Sequence, residues 1–193
     1  APAYTHPDYF GATVMNYKLG GSFNSNLNMI LREEKGYTYG ARSSFSGSHY
    51  PGTFAASTGV RSTATLDSMR IVREELAKYR QGIAEADLQF TKDALTKSNT
   101  RAFETLGALL NMLNRIATYD LPHDYIKQRE QVVQGMTLAE HKRLAQEYIH
   151  PDKTIYLVVG DAKTQLAELK EWELGEPILL DKDGKIVENS AEK

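Results

Sequence analysis

Arg32 and Tyr39 are the two side chains of this sequence best placed to bind a ligand. They lie in a segment that runs LREEKGYTYG from Leu31 to Gly40, which predicts a helix end, a glycine stop and the start of a strand. An arginine fork can bind peptide carbonyls, and a tyrosine hydroxyl can donate to an oxyanion in a dry cleft. The residues alone favour a simpler interpretation, in which Arg32 is a helix-end cation and Tyr39 a packing aromatic.

No other pattern in the chain supplies a reaction by itself. None of its histidines are four residues apart, so the sequence lacks both H-E-x-x-H and its inverse; the five are His6, His49, His123, His141 and His150. The absence of cysteine excludes thiolate metal sites and thiol catalysis. No nucleophile elbow or phosphate loop is present, and Asp181 to Gly184 predicts a hairpin turn rather than a calcium loop. We expect no catalytic residue, metal site or cofactor in this chain, so the Arg32–Tyr39 corner would be half of a site.

The composition is that of one soluble globular domain. The chain has 193 residues, of which 41% are hydrophobic and 25% charged, and we expect residues 1–193 to form a single domain. A net charge of −2 without a basic cluster argues against a nucleic-acid partner. No apolar run is long enough to span a membrane.

The corner is positioned by two predicted helices and two predicted strands. Their ranges are 9–19, 26–34, 37–46 and 53–60. Gly20 and Gly21 are predicted to end the first helix, and Gly36 the second. The stretch from Gly47 to Gly52 is predicted to be the hairpin loop that joins the strands.

The remainder of the chain is predicted to be mostly helical. Helices are expected at about 62–80, 85–119 with a bend near Thr100, 124–134, 137–149 and 166–172. The apolar run from Thr154 to Val159 predicts a central strand buried on both faces. Short segments at 178–180 and 186–187 flank a turn, and residues 189–193 are expected to fray. This order predicts an α+β fold, an antiparallel sheet covered by several helices. So thin a sheet indicates that the first strand of the domain is missing.

Two motifs resemble a known family. The stretch LGGSFNSNL from Leu19 to Leu27, followed by LREEKGYTYG, is similar to the C-terminal domain of pitrilysin/insulinase-type zinc peptidases, which include the mitochondrial processing peptidase. The family patterns are L-G-G-G-F-S-S-R-L and L-R-E-K-R-G-L-A-Y. The run TIYLVVGD from Thr154 resembles the closing strand of that domain, so the resemblance covers nearly the whole chain. Ser22 replaces a frequent glycine and Asn26 a frequent arginine, and both departures are mild.

The resemblance implies a function for the corner. In this family two α+β halves close like a clamshell, and the other half carries the zinc motif H-x-x-E-H. The half that resembles our chain lacks the motif but presents an arginine, and a tyrosine seven residues later, to the peptide substrate. By resemblance, Arg32 and Tyr39 bind substrate in the non-catalytic half of a zinc metalloendopeptidase. Zinc is expected in the partner half, which is either upstream on the same chain or a separate subunit.

Two alternatives remain open beside this hypothesis. The chain could be a structural or assembly domain of the same family without a peptidase role, or a free-standing peptide-binding module. The sequence does not fix the compartment; a bacterial periplasm or cell envelope is slightly favoured over the cytoplasm. The family domain usually begins with a strand just before the segment that resembles Pro2 to Tyr9, which agrees with the thin sheet.

Overall fold

The computed structural model describes residues 1–101, 104–172 and 174–187 and confirms the α+β class. The chain runs through α1 (Asp8–Asn16), α2 (Asn26–Asn28), β1 (Thr38–Phe45), β2 (Phe54–Val60), α3 (Thr65–Tyr79), α4 (Glu85–Arg101), α5 (Leu106–Tyr119), α6 (Tyr125–Gly135), α7 (Leu138–Tyr148) and α8 (Ala162–Leu169). The predicted bend near Thr100 corresponds to the end of α4. No helix of the described residues is long and apolar enough to cross a membrane.

The first two helices each continue as a π-helical turn, Tyr17–Gly21 after α1 and Met29–Glu34 after α2. The prediction that Gly20 and Gly21 end the first helical segment is confirmed, because the π-helical turn ends at Gly21 and Ser22 is extended. Gly20 is required there for space: a Cβ atom at this position would fall on the backbone nitrogen of Ser43 in β1. The missing side chain lets this turn lie directly against the sheet.

β1 and β2 form an antiparallel hairpin in which Ala41 lies opposite Thr58 and Phe45 opposite Phe54. Buried asparagines occupy the outer edge of β1. Asn16 Nδ2 donates to the carbonyl of Ser43 at 2.8 Å, and the amide of Ala41 donates to Asn28 Oδ1 at 3.0 Å. Side chains rather than a third strand therefore satisfy these edge groups.

The core lies between one sheet face and the helices, with α1 packed against α6, α7 and β1. It contains one buried polar chain. The Tyr79 hydroxyl donates to the carbonyl of Met15 at 2.8 Å, so its oxygen accepts from His141 Nε2 at 3.1 Å. His141 Nδ1 then has no partner among the described residues, and burial lowers the pKa of this imidazole to about 4.

The apolar segment from Thr154 to Val159 is not the buried central strand that the sequence predicted. It is extended, but it forms no ladder with any described strand, and Ile155, Leu157 and Val159 are 92%, 76% and 92% exposed. Tyr156 lies on the opposite side of the segment and packs edge-on against Trp172, with ring centroids 4.6 Å apart. One face of this segment therefore packs on the domain. The other face is apolar, but no described residue covers it.

The predicted turn from Asp181 to Gly184 is present. Gly184 has φ +77°, the amide of Asp181 donates to the Lys185 carbonyl at 2.8 Å, and Leu180 forms a bridge with Ile186. The prediction of fraying at 189–193 lies outside the described residues. The strand expected before Pro2 and the single-domain assignment stay predictions.

Candidate functional site

The helix-to-strand corner forms as predicted, and Gly36 is its pivot. Gly36 adopts φ +62°, a left-handed conformation that favours glycine. Its amide donates to the Arg32 carbonyl at 3.1 Å, and the Tyr37 amide donates to the Leu31 carbonyl at 2.9 Å. These bonds close the helix end and direct the chain into β1. They place Arg32 in the last helical turn and Tyr39 near the start of the strand.

Arg32 is held at its guanidinium but not fully paired. Its Cζ lies 4.5 Å from the centroid of the Phe23 ring, a cation–π stack, and its Nε lies 3.5 Å from Glu33 Oε1. Nη1 is buried and has no hydrogen-bond partner in the described part of the chain. One donor of a fixed fork is thus left for a further acceptor.

Tyr39 is turned outward, with its side chain 99% exposed. It lies where the β1–β2 register shifts, between Thr38 and Ala41. Such a bulge breaks the regular alternation of side chains and re-aims the residues around it. No described residue bonds the Tyr39 hydroxyl, so an aromatic ring of this size lies in solvent without a structural role in the core.

An open groove of about 600 Å³ lies beside Tyr39. Phe23, Tyr39 and Arg42 are its large lining side chains, and glycines at 20, 21, 40 and 59 supply much of the remaining wall. Arg32 itself does not line the groove, but it stacks on Phe23, which does. Of the two predicted residues, Tyr39 therefore lines the groove, and Arg32 lies behind it, in contact with the lining residue Phe23.

Close packing of Gly20 against Ser43 fixes the wall opposite Tyr39. The Ser43 hydroxyl donates to Asn16 Oδ1 at 2.5 Å, which adds to the Asn16–Ser43 bond along the strand edge. Asn28 Nδ2 donates to the Phe23 carbonyl at 2.7 Å. The turn that carries Phe23 is therefore bonded to the helices beneath it, and Phe23 presents a ring that is 63% exposed.

The histidines do not contribute to the groove. His6, His49, His123 and His150 are exposed, and His141 is buried against Tyr79. Within residues 1–101, 104–172 and 174–187, no cluster of three histidine, aspartate or glutamate side chains could hold a metal ion. The donor set of the described residues therefore does not fit a zinc ion.

Comparisons with known proteins agree with this architecture. A sequence profile described as the peptidase M16 inactive domain matches residues 1–95, which contain the corner and the whole groove. The crystal structure of a peptidase M16 inactive domain from Pseudomonas fluorescens superposes with a TM-score of 0.73 at 25% identity, covering 79% of this chain and 37% of that one.

Residues 1–95 are therefore similar to the inactive domain of M16 peptidases.

Two further similar proteins show how much of a larger protein this chain represents. An uncharacterised zinc protease of Streptomyces coelicolor is 30% identical over 103 residues, which is 53% of this chain and 22% of the relative. A periplasmic protease of Escherichia coli has the same fold, with a TM-score of 0.58 and 18% identity over 77% of this chain and 17% of its own. The chain thus spans less than a quarter of either protein.

Phe23 and Arg42 were not singled out from the sequence. Phe23 was noted only as part of the family motif, although an aromatic directly after a glycine-rich turn has little chance of packing within either flanking helix. Arg42 is the only charged residue in the two strands, TYGARSSF and FAASTGV. A lone charge at an alternating position of a strand is the signal that could have marked it.

Proposed function

We propose that this chain is the inactive domain of an M16 peptidase, the substrate-gripping half of a zinc-dependent endopeptidase, and that Arg32 and Tyr39 contact the bound peptide. The zinc ion and its H-x-x-E-H ligands would belong to a partner half, upstream on the same chain or on a separate subunit. The supporting observation is an open groove that is lined by the outward Tyr39 and by Phe23, on which Arg32 stacks with one buried, unpartnered nitrogen.

Each side chain has a separate part in the proposal. The free Nη1 of Arg32 would donate to a peptide carbonyl, while Phe23 holds the guanidinium plane. The Tyr39 hydroxyl would donate to the oxygen on which negative charge develops during hydrolysis. Closure of the two halves would remove water from the groove and strengthen both bonds.

The test is peptide hydrolysis by the complete enzyme, this domain together with its zinc-bearing half. We expect Arg32→Ala and Tyr39→Phe each to lower kcat/KM about 10²-fold, the scale of losing one oxyanion donor. This domain alone should cleave nothing, because its described residues hold no zinc site.

Matched controls separate these roles from general damage. Tyr50→Phe changes another exposed tyrosine, in the hairpin loop, and Arg70→Ala removes an exposed arginine of α3. Both should retain full activity. If Arg32→Ala and Tyr39→Phe also retain it, the assigned roles are wrong. Complete inactivity of the assembled wild type would instead favour an assembly domain without a peptidase role.

A periplasmic or cell-envelope location belongs to the same proposal. The similar E. coli protease is described as periplasmic, and the cysteine-free sequence is compatible with an oxidising compartment. Fractionation of the native host, followed by immunodetection of the full-length protein, tests it. Recovery in the cytoplasm alone would contradict this location without affecting the peptidase role.

A further inference from the structure

The sheet presents one face of small residues to solvent. In the antiparallel register, Arg42 lies opposite Ser57 and Ser44 opposite Ala55, and all four are exposed. The other face carries Ala41 and Ser43, which are buried against the helices. Residues of one face alternate along each strand, so Arg42 is the only large side chain on the solvent face of this paired region.

Arg42 is also the only charge in the groove. No carboxylate or second cation lines it, and Arg42 forms neither an ion pair nor a hydrogen bond within the described ranges. Arg32, in contrast, has a charge that is partly offset by Glu33, whose Oε1 lies 3.5 Å from the Arg32 Nε. The groove is therefore locally positive although the chain carries a net charge of −2.

We propose that Arg42 is a specificity-determining residue, which selects peptides with an acidic side chain for the groove between the Phe23 turn and the sheet. The inference rests on the proposed function and adds the substrate class. The carboxylate of the peptide side chain would pair with the guanidinium of Arg42, and the aliphatic part of that peptide side chain would lie against the Phe23 ring. Ser57 and Gly59 are small, so the floor of the groove leaves room for the peptide side chain.

Two physical arguments make a carboxylate the matching group. An arginine fork binds carboxylates through two parallel charge-assisted hydrogen bonds, which are stronger than bonds between neutral groups. A basic peptide side chain would meet an uncompensated cation, and a neutral one would leave the charge unpaired when the groove closes. The discrimination should therefore favour acidic over neutral over basic side chains.

The experiment uses the complete enzyme and neutral peptides in which one glutamate is moved stepwise along the sequence, each matched by a glutamine and a lysine version. At one position relative to the cleaved bond, the wild type should show a Glu/Gln ratio of kcat/KM of about ten. The Glu/Gln ratio should fall as the salt concentration rises to about 0.5 M, because the Debye length then shortens to a few ångströms.

Variants of Arg42 then test whether this residue causes the preference for glutamate. Arg42→Ala should bring the ratio near one with the glutamine peptide still cleaved, Arg42→Lys should keep part of it, and Arg42→Glu should favour the lysine peptide. Arg70→Ala, the matched loss of charge outside the groove, should leave the ratio unchanged.

The outcomes distinguish this inference from the proposed function. Cleavage that depends on Arg32 and Tyr39 but shows no glutamate preference at any position overturns the inference alone. A preference that survives in Arg42→Ala does the same. If the assembled enzyme cleaves none of the peptides, the proposed function fails and this inference fails with it.

Discussion

Replacing Gly20 by alanine should destabilise the domain more than any other single methyl group added to the groove. A Cβ atom at this position would lie 2.9 Å from the Ser43 Cβ and closer still to the Ser43 backbone nitrogen. Backbone atoms cannot move aside by changing rotamer. Because Gly20 has no positive φ, the effect would come from space and not from a strained backbone conformation.

The magnitude follows from three contributions. Overpacking of a close contact costs about 1–3 kcal/mol. Displacement of Ser43 would also weaken its two buried bonds to Asn16, each contributing about 0.5–1.5 kcal/mol. The gain from alanine in a helical turn offsets up to about 1 kcal/mol. We expect the free energy of unfolding to fall by about 2–4 kcal/mol. For a chain of 193 residues each kcal/mol lowers Tm by roughly 2–4 °C, so Tm should fall by roughly 5–15 °C.

Gly59→Ala is the matched control, because it adds the same methyl group to the same groove where no atom lies within 4 Å. Its free energy of unfolding should stay within about 0.5 kcal/mol of the wild type. Thermal and urea unfolding followed by circular dichroism measure both variants. A Gly20→Ala protein that melts together with Gly59→Ala would refute the idea that this glycine holds the turn against β1.

Two further predictions concern the core and the apolar segment. Burial lowers the pKa of His141 from 6.5 to about 4. Between these pH values the unfolded chain binds a proton at His141 that the folded chain does not. The free energy of unfolding should therefore fall by roughly 3 kcal/mol as the pH drops from 6.5 to 4. Urea unfolding at several pH values should show that His141→Gln loses this component, and an unchanged profile would contradict it. Amides from Ile155 to Val159 have no backbone acceptors in the described structure, so they should exchange with deuterium far faster than those of β1 when measured by mass spectrometry; slow exchange would contradict the unpaired state.

Local chemistry explains why much of the architecture could be predicted. Gly36 was recognised as a stop from its position after a helical pattern, and its φ of +62° confirms the reason. The sequence predicted a helix from Thr137, and the Thr137 hydroxyl caps α7 by accepting from the Glu140 amide at 3.1 Å. Both signals act within a few residues, so the sequence contains everything that they require.

What the sequence did not predict depends on residues far away along the chain. Gly20 and Gly21 end the helical segment as predicted, but the close contact of Gly20 depends on Ser43, a residue of another element that packs against it. The run from Thr154 to Val159 has the composition of a buried strand, but burial needs neighbours on both faces, and the described residues supply only one. Likewise, the exposure of Phe23 and its contact with Arg32 depend on where two turns meet.

The sequence by itself determined the class, the family resemblance and the corner that carries Arg32 and Tyr39, because helix ends, glycine stops and alternating strands are written locally. Only the tertiary structure decided that Tyr39 lines a groove, that Arg32 stacks on Phe23 in its wall and that Arg42 is the one charge among the described lining residues. The physical reason is distance along the chain. A groove is formed by segments that approach through packing, and Gly20 lets that approach happen because it has no side chain to prevent it.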